Sequence, residues 1–172
     1  MAPDGLAGAL FERHGRSVRQ YLRALTGSAD LAADLSQDVF LRVVRGAARY
    51  EARERERAWL FRIARNAVID HRRRAAVRPA AVAAGVEPAA AATQALAVDL
   101  REALARLPDG EREAFLMAEI GGLTYAEIAL ALEVTVPAVR SAIYRARLAL
   151  RAALLPPRPV TPPARQGHDH DD

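Results

Sequence analysis

The chain has 172 residues and a formal net charge of +4, with 39 Ala, 25 Arg, no Lys and no Cys. At about 150 residues per domain that is one or two domains, and the missing cysteines exclude a disulfide framework, a thiolate metal site and a cysteine nucleophile. The missing lysines exclude a Walker A lysine, a Schiff base and a Ser-Lys pair, while abundant Ala and Arg without any period-two stretch point to an all-α protein.

The start, Met1-Ala2-Pro3-Asp4-Gly5, has no basic segment followed by an apolar run, so no secretory signal is expected. The longest uncharged stretch, Pro88 to Val98, is too short to cross a bilayer, which takes about 18 apolar residues. The expected compartment is the cytoplasm.

Leu6 to Leu25 reads as one amphipathic helix, closed by Gly27 at a C′ position. Ser28 caps a second helix to about Ala48, with Leu31, Leu35, Val39 and Val43 four apart on one face. A second face carries Asp34, Asp38, Leu41, Arg42 and Arg45. An exposed Leu among such charges fits a protein-docking surface, and fits equally a solvated face with one stray Leu.

The charged run Glu51–Arg57 follows, then a helix from about Ala58 to Arg74. Leu60, Ile63, Ala64 and Ala67 share one face; Arg62, Arg65, Asn66, Arg72 and Arg73 fall on an arc of about 120° on the other side. A basic arc beside Trp59, Tyr50 and Phe61 can bind single-stranded nucleic acid, with Arg on phosphates and rings on bases. The alternative is that Trp59 and Phe61 are core and the arginines are solvated.

Residues 75–98 are half Ala, broken by Pro79, Gly85 and Pro88, and read as a linker whose last part enters the next helix. Val98 to Leu107 is a short helix stopped by Pro108; Asp109 caps the next, to about Ile120, ended by Gly121-Gly122. Thr124 and Glu127 have capping-box spacing for a short helix, Tyr125 to Leu132. Thr135 caps a longer one, with Pro137 in its first turn. Short helix, turn, longer helix is the helix-turn-helix pattern. In the longer helix Val136, Val139, Ile143, Ala146 and Leu150 make a packing stripe. Arg140, Tyr144, Arg147 and Arg151 cluster within about 60°, roughly 90° away from it, with Ser141 and Arg145 at the margin. Such a helix can enter a major groove, where Arg reads guanine edges or holds phosphates; the alternative is a bundle helix with an Arg-rich exterior. The last segment, 156–172, is Pro-rich, ends His-Asp-His-Asp-Asp and is expected to be disordered.

Both halves match one family. Asp34-Leu35-Ser36-Gln37-Asp38-Val39-Phe40-Leu41-Arg42-Val43 and Ala58–Arg74 resemble regions 2.2 and 2.3–2.4 of bacterial extracytoplasmic-function (ECF) sigma factors. Gly122-Leu123-Thr124-Tyr125-Ala126-Glu127-Ile128-Ala129 and Val139–Arg147 resemble region 4. The resemblance covers about residues 6–155 and implies a promoter-specificity subunit of RNA polymerase, with no catalysis of its own and no cofactor or metal. It implies region 2 over 1–74, the linker over 75–98 and region 4 over 99–155, the two small helical domains being joined flexibly; the Pro-rich tail, 156–172, lies outside the family core. It assigns core-polymerase docking to Asp34, Gln37, Asp38, Leu41 and Arg42. It assigns the −10 element to Arg57, Trp59, Arg62, Arg65, Asn66, Arg72 and Arg73, and the −35 duplex to Arg140, Ser141, Tyr144, Arg145 and Arg147. Members of the family are commonly held inactive by an anti-sigma partner, for which the Leu41 face is the candidate surface here.

Three positions depart from the family pattern. Glu133 stands where Gly is usual in the turn before the recognition helix, Ala142 stands where many members carry Arg, and Glu51–Arg57 is unusually charged. A stand-alone helix-turn-helix regulator is the competing reading, although it leaves the basic arc of the Trp59 helix without a task. A nucleic-acid enzyme using Asp34 and Asp38 as metal ligands lacks a third carboxylate or His at a usable spacing. His168 and His170 with the terminal acids fit weak metal binding or a frayed polar tail; His14 and His71 are isolated.

Overall fold

The computed structural model describes residues 3–47, 50, 55–77 and 91–155. Seven helices run in order among them: α1 (Pro3–Thr26), α2 (Ala29–Gly46), α3 (Glu56–Val77), α4 (Ala91–Arg106), α5 (Asp109–Glu119), α6 (Tyr125–Leu132) and α7 (Val136–Leu154). No strand occurs among the described residues.

α1, α2 and α3 pack on one another as the first module. Gly27 takes φ 72°, a backbone state that costs glycine little, and sends its N–H back to the Arg23 carbonyl at 2.9 Å. The chain then re-enters a helix at once, because the Ser28 hydroxyl accepts the Leu31 N–H at 3.2 Å. The faces this aligns are apolar: Leu10, Val18, Tyr21 and Leu22 of α1 meet Leu35, Val39 and Val43 of α2 and Leu60, Phe61 and Ala64 of α3. Each such large side chain, fully buried, contributes about 1.5–3 kcal/mol.

α4 to α7 form the second module, with α7 against α4, α5 and α6. Thr124 and Glu127 close a full capping box at α6, and the Thr135 hydroxyl accepts the Ala138 N–H at the start of α7. Between them Glu133 sits at φ 58°, ψ 42°, in the left-handed region, with its N–H on the Ala129 carbonyl. That conformation costs a non-glycine residue about 1–2 kcal/mol. The Val134 N–H reaches the same carbonyl at 3.0 Å, so the turn is held by two hydrogen bonds despite its residue type.

Several expectations change. Asp109 does not cap α5: Pro108 holds the N-cap position, and no side chain caps that end. Asp109 is instead the first helical residue, where its carboxylate turns to the side chains of Arg112 and Arg72. Helical backbone runs on to Val77 and resumes at Ala91, taking in both ends of the 75–98 segment, as an Ala-rich stretch clear of Pro79, Gly85 and Pro88 allows. Residues 78–90, the tail 156–172 with its histidines, and Glu51–Glu54 of the charged run lie outside the described residues. The two modules also touch. α3 lies along α6 and α1 meets α5. At that seam a Cβ on Gly121 would stand 2.8 Å from Phe61 Cε1, so the approach needs glycine.

Candidate polymerase-docking and nucleic-acid interfaces

The outer face of α2 gathers one apolar residue among charges. Leu41 is 54% exposed, with Asp34 and Gln37 exposed on the turns before it. Arg42 does not project freely: it grips Asp38 on its own helix at 2.9 Å and Asp70 on α3 at 2.7 Å. These hydrogen bonds, Asp70's first, hold the Arg42 guanidinium even more firmly protonated than usual. Beside Leu41 opens a shallow cavity of about 500 Å³, floored by Phe11, Phe40 and Val44. Phe11 of α1 and Phe40 of α2 meet edge to face, ring centres 5.0 Å apart. These three residues were missed in the sequence. Phe40, Leu41 and Val44 share a helical face and could have been found by spacing; Phe11 could not, because only the packing of α1 on α2 brings it there.

The arc on α3 is as drawn for Arg72, Arg73 and Asn66, all exposed. Trp59 is not on it. The residue is 9% exposed, its ring tilted against Tyr50 with centres 4.8 Å apart and packed on Gly46, so it supports the helix from within. Phe61 is core as well, edge-on to Tyr21 at 5.2 Å. Of the expected pair of readings for these aromatics, burial is the one observed. Three of the arginines carry partners on the second module. Arg57 donates to the Gly122 carbonyl at 2.7 Å and to Glu127 at 3.2 Å; Arg65 donates to Glu113 at 2.7 Å; Arg72 faces Asp109 at 3.6 Å. At the start of α3, Glu56 is bound by His14 and Arg13 of α1.

On α7 the stripe Val139, Ile143, Ala146 and Leu150 is buried, while Arg140, Ser141, Tyr144 and Arg151 stand outside, Tyr144 at 68% exposure. Arg145 and Arg147 are also exposed, held by Glu111 of α5 at 2.6 Å and Glu119 at 2.7 Å. One helix thus buries one side and offers cations with an aromatic ring on the next, at the spacing of successive turns. Among the described residues no group of three or more His, Cys, Asp or Glu could hold a metal ion, and Asp38 is already engaged by Arg42. No helix is long and apolar enough to cross a membrane.

The models for sigma-70 region 2 and sigma-70 region 4 match residues 10–78 and 97–150. Over 147 residues the chain is 34% identical to the ECF RNA polymerase sigma factor SigM of Mycobacterium tuberculosis, covering 84% of this chain and 75% of that protein. The chain belongs to the ECF RNA polymerase sigma factor family. SigC of the same species is 33% identical over 172 residues, covering 88% of this chain and 90% of that one. Among solved structures, that of CnrH in complex with the cytosolic domain of CnrY superposes with a TM-score of 0.69 at 30% identity, over 86% of each chain. This sigma factor therefore carries α1–α3 as region 2 and α5–α7 within region 4, with α6, the Glu133 turn and α7 as its helix-turn-helix. It is a DNA-binding transcription-initiation factor that directs RNA polymerase to promoters.

Proposed function

We propose a division of labour in which 1–74 docks on core polymerase and receives the −10 element, 75–98 spans the gap, and 99–155 holds the −35 element as duplex. Asp34, Gln37, Asp38 and Leu41 make the docking face, extended by Phe11, Phe40 and Val44. Arg42 acts there from beneath, orienting α2 on α3. Arg57, Arg62, Arg65, Asn66, Arg72 and Arg73 bind the −10 strand, phosphates first, while Trp59 braces the helix that carries them. Arg140, Ser141 and Tyr144 reach base edges and phosphates of the −35 duplex, with Arg145 and Arg147 as phosphate contacts. The protein makes and breaks no covalent bond: it positions polymerase and stabilises unpaired DNA, whose extrusion costs a few kcal/mol. It works where polymerase does, in the cytoplasm. The Leu41 face is also the surface an anti-sigma partner would cover, a reading supported by CnrH, which was solved with the cytosolic domain of CnrY.

The observation that carries this reading is the outward row on α7 of three cations, Arg140, Arg147 and Arg151, and one aromatic ring, Tyr144, set on a capped helix-turn-helix. The test is transcription from sheared genomic DNA with purified core polymerase, with and without the protein, and sequencing of the new starts. Two shared upstream motifs, with the starts lost on Arg140→Ala, are the expected result. A footprint on duplex DNA without polymerase, and no new starts, would instead make the chain a stand-alone helix-turn-helix regulator.

A further inference from the structure

Two acids of α5 take hold of α7 from opposite flanks. Arg145 and Arg147 stand about 160° apart round the helix, at about 100° per residue. Arg145 is bonded through Nε to Glu111 at 2.6 Å, Arg147 through Nη2 to Glu119 at 2.7 Å. The two bonds differ in kind. The Glu119 side chain is 45% exposed, so a phosphate can replace it at little cost. The Glu111 side chain is only 16% exposed, and its bond ends on Nε, the one guanidinium donor outside the terminal pair of nitrogens. We propose that Glu111 is a positioning residue for −35 recognition: it keeps Arg145 by Nε and leaves the two Nη groups as a fixed fork for a base edge. The inference rests on the reading of α7 as the −35 helix and refines it, moving Arg145 from a phosphate to a base.

Three features support this role. The first is the free fork. Among the described residues Arg145 is bonded to Glu111 alone, so its Nη hydrogens remain available, and two parallel donors are what the O6 and N7 acceptors of guanine require. The second is retention. A phosphate that drew Arg145 away would leave a largely covered carboxylate unpaired, which is unfavourable, so Arg145 meets DNA with Glu111 still attached. An attached pair carries no net charge. It gains little from a phosphate, whose attraction is electrostatic, and loses nothing at a base edge, which is read by hydrogen bonds. The third is the lack of a competing cation. On the same flank of α7 the next residue toward Glu111 is Ala142, beside a cavity of about 360 Å³ that Glu111 and Arg145 also line. Arg65, across that cavity, is bonded to Glu113 instead. Glu111 is also fixed in place, because α5 buries Ala114, Leu116 and Met117 and packs against the buried stripe of α7. An acid on a rigid element can hold a side chain within the narrow geometry that base readout needs.

The test uses holoenzyme reconstituted from core polymerase and the full chain. A promoter found by the start mapping above is made as a pool with its upstream motif randomised and each motif barcoded downstream of the start, and transcripts are sequenced. The parent is compared with Arg145→Ala, Glu111→Ala and Glu111→Gln, with helicity followed by circular dichroism. Salt dependence is read by anisotropy of a fluorescein-labelled duplex bearing the motif. The parent is expected to prefer one base pair by about tenfold or more, the scale of a bidentate contact. Arg145→Ala should abolish that preference and leave the salt slope unchanged. Glu111→Ala should relax the same base pair although Arg145 is intact, and Glu111→Gln, which keeps an acceptor, should relax it less. A merely structural Glu111 would lower transcription from all motifs alike. Glu111→Ala of native helicity that keeps the parent's preference would overturn the inference. So would Arg145→Ala that weakens all motifs alike and reduces the log–log salt slope by about 0.9, the mark of a phosphate contact. If the parent itself directs no transcription, or prefers no upstream base pair, the −35 reading falls rather than the role of Glu111 alone.

Discussion

Leu41 and Arg140 are the residues at which binding can be altered without touching the core. Leu41→Asp places a charge at the centre of the proposed docking face and is expected to weaken core-polymerase binding by about 2 kcal/mol or more, the scale of an interface hot spot. The melting temperature should not change, since the side chain is already half in water; titration against core polymerase and a thermal melt read the two effects. Arg140→Ala is expected to lose about 1–3 kcal/mol on −35 duplex DNA if it meets a base edge, relaxing preference at one position. An Arg that meets only phosphate behaves differently. Arg147→Ala should weaken all duplexes alike and reduce the log–log salt slope by about 0.9, measured by anisotropy across a salt series. Trp59 belongs to another class: its loss should appear as a lower melting temperature before any change in DNA affinity, because its ring lies between Tyr50 and Gly46 rather than on the basic arc.

At the scale of elements, the caps and turns of the helix-turn-helix decide how firmly α7 is held. Burial would raise the Glu127 carboxyl, but the Thr124 backbone and hydroxyl donors, with Arg57, outweigh it and hold the group below its ordinary 4.5. A depressed carboxyl contributes stability that is present above the unfolded value and lost as pH falls through the folded one. Stability should therefore decline with acid below about 4.5, and Glu127→Gln should flatten that decline; denaturant midpoints across pH check it. Glu133→Gly should raise stability by about 0.5–1 kcal/mol, the left-handed cost removed less the entropy glycine adds to the unfolded chain. Most of this architecture was legible in the residues: Ser28, Thr124 and Thr135 cap as their types predict, and the stripes of α2 and α7 are buried except at their first positions, Leu31 and Val136, which are half-buried. Asp109 misled because Asp at a helix start is favourable both as a cap and, one residue on, as a first-turn acid. What periodicity cannot give is the meeting of elements distant in sequence. Phe11 on Phe40, Arg42 on Asp70 and Arg65 on Glu113 each depend on how whole helices are docked.

For the whole molecule, the seam brings the buried cores of two small modules into one cluster. Each alone is near the size at which a core barely sustains itself, and Phe61 with Tyr21 sits where the cores approach. Phe61→Ala is expected to cost about 3–5 kcal/mol, as large aromatic-to-alanine changes in cores do, and to lower the melting of both modules together. Calorimetry showing a single transition displaced downward would agree; loss confined to one of two transitions would mean the modules melt independently. The bridge from Arg42 to Asp70 has a consequence of a different kind. It joins the helix proposed to face polymerase to the helix proposed to face the promoter, so in this chain the two helices are matched to each other. A hybrid that kept this α2 but took an α3 without an acid at position 70 would leave the Arg42 guanidinium short of one of its two carboxylates, between the two proposed surfaces. In this chain positions 42 and 70 are thus best inherited together, and a mosaic that divides them loses a contact that neither parent helix supplies alone.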